Sequence, residues 1–189
     1  MSPLVLALTG TDHHPFERMV QWIDAAAARH RDVRFVVQHG MTRPPRVAEG
    51  RVHLAHDDLV TLLSEAVVVV WHGGPGLITE AREAGHVPLC GPRDPRLGEH
   101  VDGHQQRFAR VIGEAHVVRT ITSLEAFDEE LATALLAAPG PDPATMTTTL
   151  VRDAARAQVA ADLDHLMLSG RPHRLGRQRL GRHRARFPA

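Results

Sequence analysis

Residues 67–85 read VVVVWHGGPGLITEAREAG, and this stretch decides the fold. Four consecutive valines with no alternation of polar residues describe a strand covered on both faces, the kind found inside parallel sheets. A His-Gly-Gly-Pro-Gly turn ends the strand, and helical spacing begins directly after it, with Glu80 four residues beyond Gly76. Gly73, Gly74 and Gly76 strip side chains from a place where a ligand can approach the backbone. Pro75 suits a first helical turn, where its missing N–H would have no partner.

The same grammar extends in both directions. Residues 3–8 (PLVLAL) read as a buried strand and 9–15 as a turn, and Phe16, Val20, Ile23 and Ala27 then recur at helical spacing to about His30. Further strands are expected at 33–38, 51–55, 66–71, 87–92 and 116–120. Helices are expected around Leu59, Leu62 and Leu63, over 100–115, and along Leu124, Phe127, Leu131 and Leu135. Thr122 and Glu125 fit a capping box at the start of the last of these. Strands alternating with helices give the α/β class, a doubly wound, mostly parallel sheet. The expected organisation is a Rossmann-like domain over 1–138, then a linker opened by APGPDP (138–143) and a C-terminal helix striped by Leu150 to Leu166 within 139–170, and an Arg-rich tail over 171–189, read as disordered from its composition.

Composition narrows the function. All 22 basic residues are arginine, and all 22 acids lie at or before Asp164, so a body of net −7 precedes a tail of net +7. That tail would be drawn to phosphates, an anionic membrane surface or an acidic partner, or would simply be a solvated terminus. No apolar run approaches the ~18 residues of a membrane span, and the start MSPLVLALTG lacks a basic leader, so the expected place is the cytoplasm. A single cysteine, Cys90, excludes an internal disulfide and reads as a buried small side chain. Aromatic residues are 4% of the chain with no tyrosine, which argues against single-stranded nucleic acid as a partner. Trp71 reads as packing.

Unpaired N–H groups at a helix start attract phosphate, and a carboxylate one turn further can accept from vicinal hydroxyls such as those of a ribose. Glycine cradle plus Glu80 therefore spells a nucleotide, although strand-to-helix turns also carry glycines for steric reasons alone. A P-loop is excluded because it needs lysine, which the chain lacks. The dinucleotide fingerprint fails because Thr79 stands where its third glycine belongs.

Residues 72–109, HGGPGLITEAREAGHVPLCGPRDPRLGEHVDGHQQRFA, closely resemble the donor-binding core of the family 28 glycosyltransferase C-terminal domain. That family shows a His-Gly-Gly-x-Gly turn, a glutamate in the following helix, a proline and a downstream His/Gln pair. Residues 6–24 look like the opening of its short, single-domain members, and the resemblance covers roughly 3–135. It implies one half of a GT-B fold that binds a nucleotide diphosphate sugar, UDP-linked by expectation, as substrate, with no cofactor and no metal. Carried over, it puts Gly73, Gly74 and Gly76 at the diphosphate, Glu80 at the ribose, His72 at the cleft, and Gly10 and Thr11 in a first turn facing the donor. Gln105 and Gln106 would bond sugar hydroxyls, with Glu99, Asp102 and His104 around them. Leu77 departs from the family's usual threonine.

The resemblance also implies inversion by direct displacement, and a separate, membrane-anchored acceptor-binding subunit that presents a lipid-linked saccharide for polysaccharide assembly. His14 is the candidate base on an acceptor hydroxyl, with His13 beside it, and both also read as polar turn residues. His100 and His104, spaced i, i+4 around Asp102, have the spacing of metal ligands on a helix but lack a third at matching spacing, so the sugar loop is the preferred reading. Arg93, Arg96 and Arg107 could balance a diphosphate or be surface residues. Two other readings remain: a noncatalytic regulator that binds nucleotide sugars, and a small transferase sufficient for a soluble acceptor.

Overall fold

The computed structural model describes residues 2–137, so the expected linker, C-terminal helix and basic tail lie outside the described residues. Six strands form one sheet in the order β3-β2-β1-β4-β5-β6, and every neighbouring pair is parallel. They are β1 (Leu4–Leu8), β2 (Arg34–Gln38), β3 (Glu49–Arg51), β4 (Ala66–Trp71), β5 (Leu89–Cys90) and β6 (Arg119–Thr120). The helices are α1 (Glu17–Arg29), α2 (His56–Glu65), α3 (Ile78–Glu83), α4 (His104–Glu114) and α5 (Leu124–Ala137). The chain moves outward from β1 through β2 to β3, then returns across β1 to start the other half at β4. That reversal opens a crevice between the carboxyl ends of β1 and β4, the place where such sheets take ligands.

Both faces of the sheet are covered, which explains the unbroken apolar runs. Val5, Ala7, Val68 and Val70 pack under α1 and α5, where Trp22 stacks on Phe127 at 6.1 Å. Leu4, Leu6, Leu8 and Val69 face the other way, against Leu59 and Leu63 of α2 and Ala81 of α3. Trp71, Ile78 and Cys90 join Phe108 and Ile112 of α4 in a third cluster, so Trp71 and Cys90 are core residues as expected. The four valines do not all alternate cleanly. The β1 partner shifts from Leu4 opposite Ala66 to Val5 opposite Val68, which leaves Val67 as an extra, half-buried residue.

Several boundaries differ from expectation, each for a physical reason. The third strand is Glu49–Arg51 rather than 51–55, because it is an edge strand defined by pairing with Val36 to Gln38 and needs no apolar run. Asp24 of α1 sets it in place by accepting from the N–H groups of Arg46, Val47 and Ala48 at 2.6, 3.0 and 3.1 Å. The expected strands at 87–92 and 116–120 shrink to two residues each, Leu89–Cys90 and Arg119–Thr120. The cap of α5 is shifted by one from the expected Thr122, since Ser123 Oγ accepts from Ala126 N–H at 3.1 Å. The helix expected over 100–115 begins only at His104, leaving 98–103 irregular. Among the described residues no helix is long and apolar enough to cross a membrane.

Candidate functional site

A pocket of about 550 Å³ opens at the crevice between β1 and β4. One wall is polar, formed by Gly10, Thr11 and Asp12 after β1 and by His72, Gly74 and Gly76 after β4, with Gln105 from the first turn of α4. Leu8, Leu54, Leu59 and Leu77 add apolar lining, with Gln38, His53 and Pro75. Such a pocket offers polar groups for a charged moiety and apolar surface for a flat or ring-shaped one.

The glycines of this wall divide into two kinds. A Cβ on Gly10 would stand 2.6 Å from His72 Nε2, and one on Gly74 would stand 2.3 Å from His72 Cε1. The imidazole is thus clasped between two bare backbones, and both glycines are required by the protein's own packing. Gly73 adopts a φ of +91°, which favours glycine, and it faces Pro92 and Cys90 rather than the pocket. Gly76 alone of the loop has neither reason, because its φ is not in the left-handed region and a Cβ there would meet nothing within 4 Å. Pro75 and Leu77 fall in the turn before α3, not inside it, and α3 has only six residues with no side-chain cap. Its dipole is correspondingly small, so any anion here would rest mainly on the loop's own N–H groups.

His72 is neutral at ordinary pH. Burial, with the nearby Arg93 charge, pulls its pKa from 6.5 down to about 4, while Gln105 and Asp12 pull weakly upward. Its Nδ1, the Gln105 Oε1 and one carboxylate oxygen of Glu80 are all buried without a hydrogen-bond partner among the described residues. Buried polar atoms are nearly always paired; Trp71 Nε1, Arg82 Nε and Arg93 Nε are also unmet, and of the six only the His72 and Gln105 atoms belong to residues lining the pocket.

The loops are braced by residues far apart in sequence. Gln38 at the end of β2 accepts from Gly10 N–H at 3.0 Å and donates to the carbonyls of Gly10 and Val52 at 3.0 and 3.2 Å. Arg93 is buried under the site and donates to the carbonyls of Thr9, His14 and Glu99 at 2.8, 2.7 and 2.9 Å. It is neither a surface residue nor part of the pocket lining, and it ties the β1 loop to the loop after β5. Arg96 is occupied by Asp94. Asp12 accepts from the His14 backbone and from its Nδ1 at 2.8 and 2.6 Å. Partial burial alone would raise the Asp12 pKa, but the His14 bonds and the charges of Arg93 and His100 bring it down to about 2.

Of the residues picked from sequence, the pocket gathers Gly10, Thr11, His72, Gly74, Gly76 and Gln105. Gly73 and Glu80 are not among the residues lining it, and His14 stands beside it through Asp12. Glu99 is buried and engaged, accepting from Arg18 at 2.9 and 2.7 Å and from Asp94 N–H at 2.7 Å. His104 is half exposed and bonded to Asp102. Gln106 lines a separate cleft beside β6 with Arg110 and Thr120. Asp12, Gln38, His53 and the leucine wall were missed. Gln38 closes strand β2, and a polar residue ending an apolar strand at the carboxyl edge is the signal that could have found it.

No family model matches the chain, and no curated protein matches it. Among solved structures it is similar to the glycotransferase of kitacinnamycin, with a TM-score of 0.56 and 18% identity, covering 90% of this chain and 44% of that one. It is also similar to CalG4, the calicheamicin glycosyltransferase, with a TM-score of 0.50 and 15% identity, covering 86% of this chain and 38% of that one. The chain spans less than half the length of either structure. The likeness shows the fold, a Rossmann-like α/β sheet matching one half of a GT-B glycosyltransferase.

Proposed function

We propose that the chain is the donor-binding half of a glycosyltransferase, taking a nucleoside diphosphate sugar in the pocket between β1 and β4. The observation that carries the reading is Gly76, a bare backbone in the pocket wall that the protein's own packing does not require. The unpartnered Oε1 of Gln105, which lines the pocket, supports it, because a sugar hydroxyl would satisfy it. The fold neighbours, both glycosyltransferases by description, point the same way. The finer form of the reading follows the resemblance of 72–109 to the family 28 C-terminal domain: a UDP-linked sugar, with the acceptor site supplied by a separate membrane-anchored subunit.

In this reading an acceptor hydroxyl attacks the anomeric carbon with inversion, and the bond from that carbon to the diphosphate oxygen breaks. The N–H groups of Gly74 and Gly76 and the Thr11 hydroxyl receive the negative charge of the departing diphosphate. Neutral His72 adds a hydrogen-bond donor without holding the product as a fixed cation would. His14 takes the acceptor's proton at Nε2, since Nδ1–H is donated to Asp12. No cofactor is needed. The acceptor is a lipid-linked saccharide, and residues 171–189, with seven arginines and no acid, would hold this half at an anionic membrane. Deleting them and finding membrane recruitment unchanged would refute that last point.

Calorimetric titration of the full chain with UDP-, GDP- and dTDP-sugars tests the reading. It expects micromolar binding of a UDP-sugar that weakens about tenfold, or roughly 1.4 kcal/mol, in Glu80→Ala. Absence of binding by every nucleotide sugar, both alone and with the acceptor subunit, would overturn it.

A further inference from the structure

In an α-helix His100 and His104 would share a face, and Asp102, at ~200° from His100, would point the other way. The chain does not fold so. Helix α4 starts at His104, Gly98 turns the chain with a φ of +72°, and the buried Glu99 anchors the loop to Arg18 and Asp94. The irregular backbone swings Asp102 onto the histidine side. A ring nitrogen of His100, a carboxylate oxygen of Asp102 and a ring nitrogen of His104 then lie within 4.8 Å of one another.

The hydrogen bonds around His100 prepare it further. Its Nδ1 receives only a long contact from Asp102 N–H at 3.4 Å, so this nitrogen carries the lone pair. Its Nε2 lies 3.3 Å from Asp12 Oδ2, a close charge contact. Asp12 is held in turn by His14 on its other oxygen. An imidazole with one nitrogen only weakly engaged and the other facing a fixed carboxylate resembles the arrangement that orients histidine ligands on metals. The side chains of Asp102 and His104 are 57% and 47% exposed, which leaves an entry path and room for water at the remaining positions. Asp12, His13 and His14 also bring three donor atoms together, but both Asp12 oxygens are already engaged, which makes that group the support.

We infer that His100, Asp102 and His104 form a binding site for a divalent transition cation of the zinc class, oriented by Asp12. Two imidazoles and one carboxylate suit Zn²⁺ over Mg²⁺ or Ca²⁺, which prefer oxygen ligands throughout. The site stands independently of glycosyl transfer. A bound cation would rigidify the 98–104 loop, which touches the β1 loop through His100 and Asp12.

The test is calorimetry of the full, untagged chain with Zn²⁺, paired with visible absorption on Co²⁺ addition. One equivalent should bind with a Kd of about 1 μM or tighter, with Co²⁺ d–d bands and a metal-dependent rise in Tm. Asp102→Asn and His104→Gln should each abolish this binding while keeping the metal-free Tm, as both side chains are exposed. Asp12→Asn should weaken it about 10- to 100-fold, and His56→Gln, on the exposed start of α2, should leave it unchanged. No binding in this range, or binding that survives Asp102→Asn and His104→Gln together, overturns the inference.

Discussion

Replacing Gly76 by alanine should move stability and ligand binding in opposite directions. An added Cβ meets nothing within 4 Å, and the backbone there is one that any residue adopts. Alanine then stabilises by about 0.4–1 kcal/mol, chiefly by narrowing the unfolded ensemble, which raises Tm by roughly 1–4 °C in a domain of this size. The same methyl stands where a phosphate would approach the loop, so donor affinity should fall at least about tenfold, equivalent to ~1.4 kcal/mol. Gly74→Ala is the matched contrast. Its Cβ would sit 2.3 Å from His72 Cε1, and overpacking of this kind costs about 1–3 kcal/mol. Thermal unfolding and calorimetry on both variants read the two quantities separately. Unchanged donor binding by Gly76→Ala, or an undiminished Tm in Gly74→Ala, would refute the division of the loop into packing glycines and a ligand glycine.

Further outcomes follow from the site's charges and braces. His72 binds its proton with a pKa of about 4 when folded, against an ordinary 6.5, so the unfolded state holds more protons between those values. Its contribution is therefore a stability that rises from about pH 4 to 6.5 and is level above. Urea unfolding across pH should show this rise flattened in His72→Gln, and an identical slope would contradict it. Arg93→Met leaves two buried carbonyls and one half-buried one without their donor and should cost about 2–4 kcal/mol in urea unfolding, with Arg93→Lys recovering only part, since one ammonium cannot span all three. Glu99→Gln weakens the paired contact with Arg18 and should lower stability by about 1.5–3 kcal/mol. A loss under 0.5 kcal/mol would show the pair to be dispensable.

The half of the fold around β4 was legible because burial on both faces leaves a local signature: Val67 to Val70 have no polar alternation, and the glycine turn follows at once. Edge β3 was misplaced because its residues, Glu49 to Arg51, are chosen by pairing with β2 and by Asp24, which sits 22 residues before Arg46. The start of α4 was misread because Glu99, whose anchor is Arg18 some 81 residues away, unwinds the segment before His104. The site shows the same divide. The bare backbone at 73–76 and the Gln105 position could be read from sequence. That Gly10 and Gly74 serve the His72 ring could not, because the ring reaches Gly10 only after β1 and β4 lie side by side. Asp12 was likewise hidden, since its meaning comes from His100 on another loop.

The central claim is that a nucleoside diphosphate sugar lies between the carboxyl ends of β1 and β4, and amide NMR of the labelled full chain titrated with a UDP-sugar tests it most directly. The account predicts that the largest shift changes fall on Gly10, Thr11, Gly74, Gly76 and Gln105. Changes centred instead on Gln106, Arg110 and Thr120, which line the cleft beside β6, would contradict it.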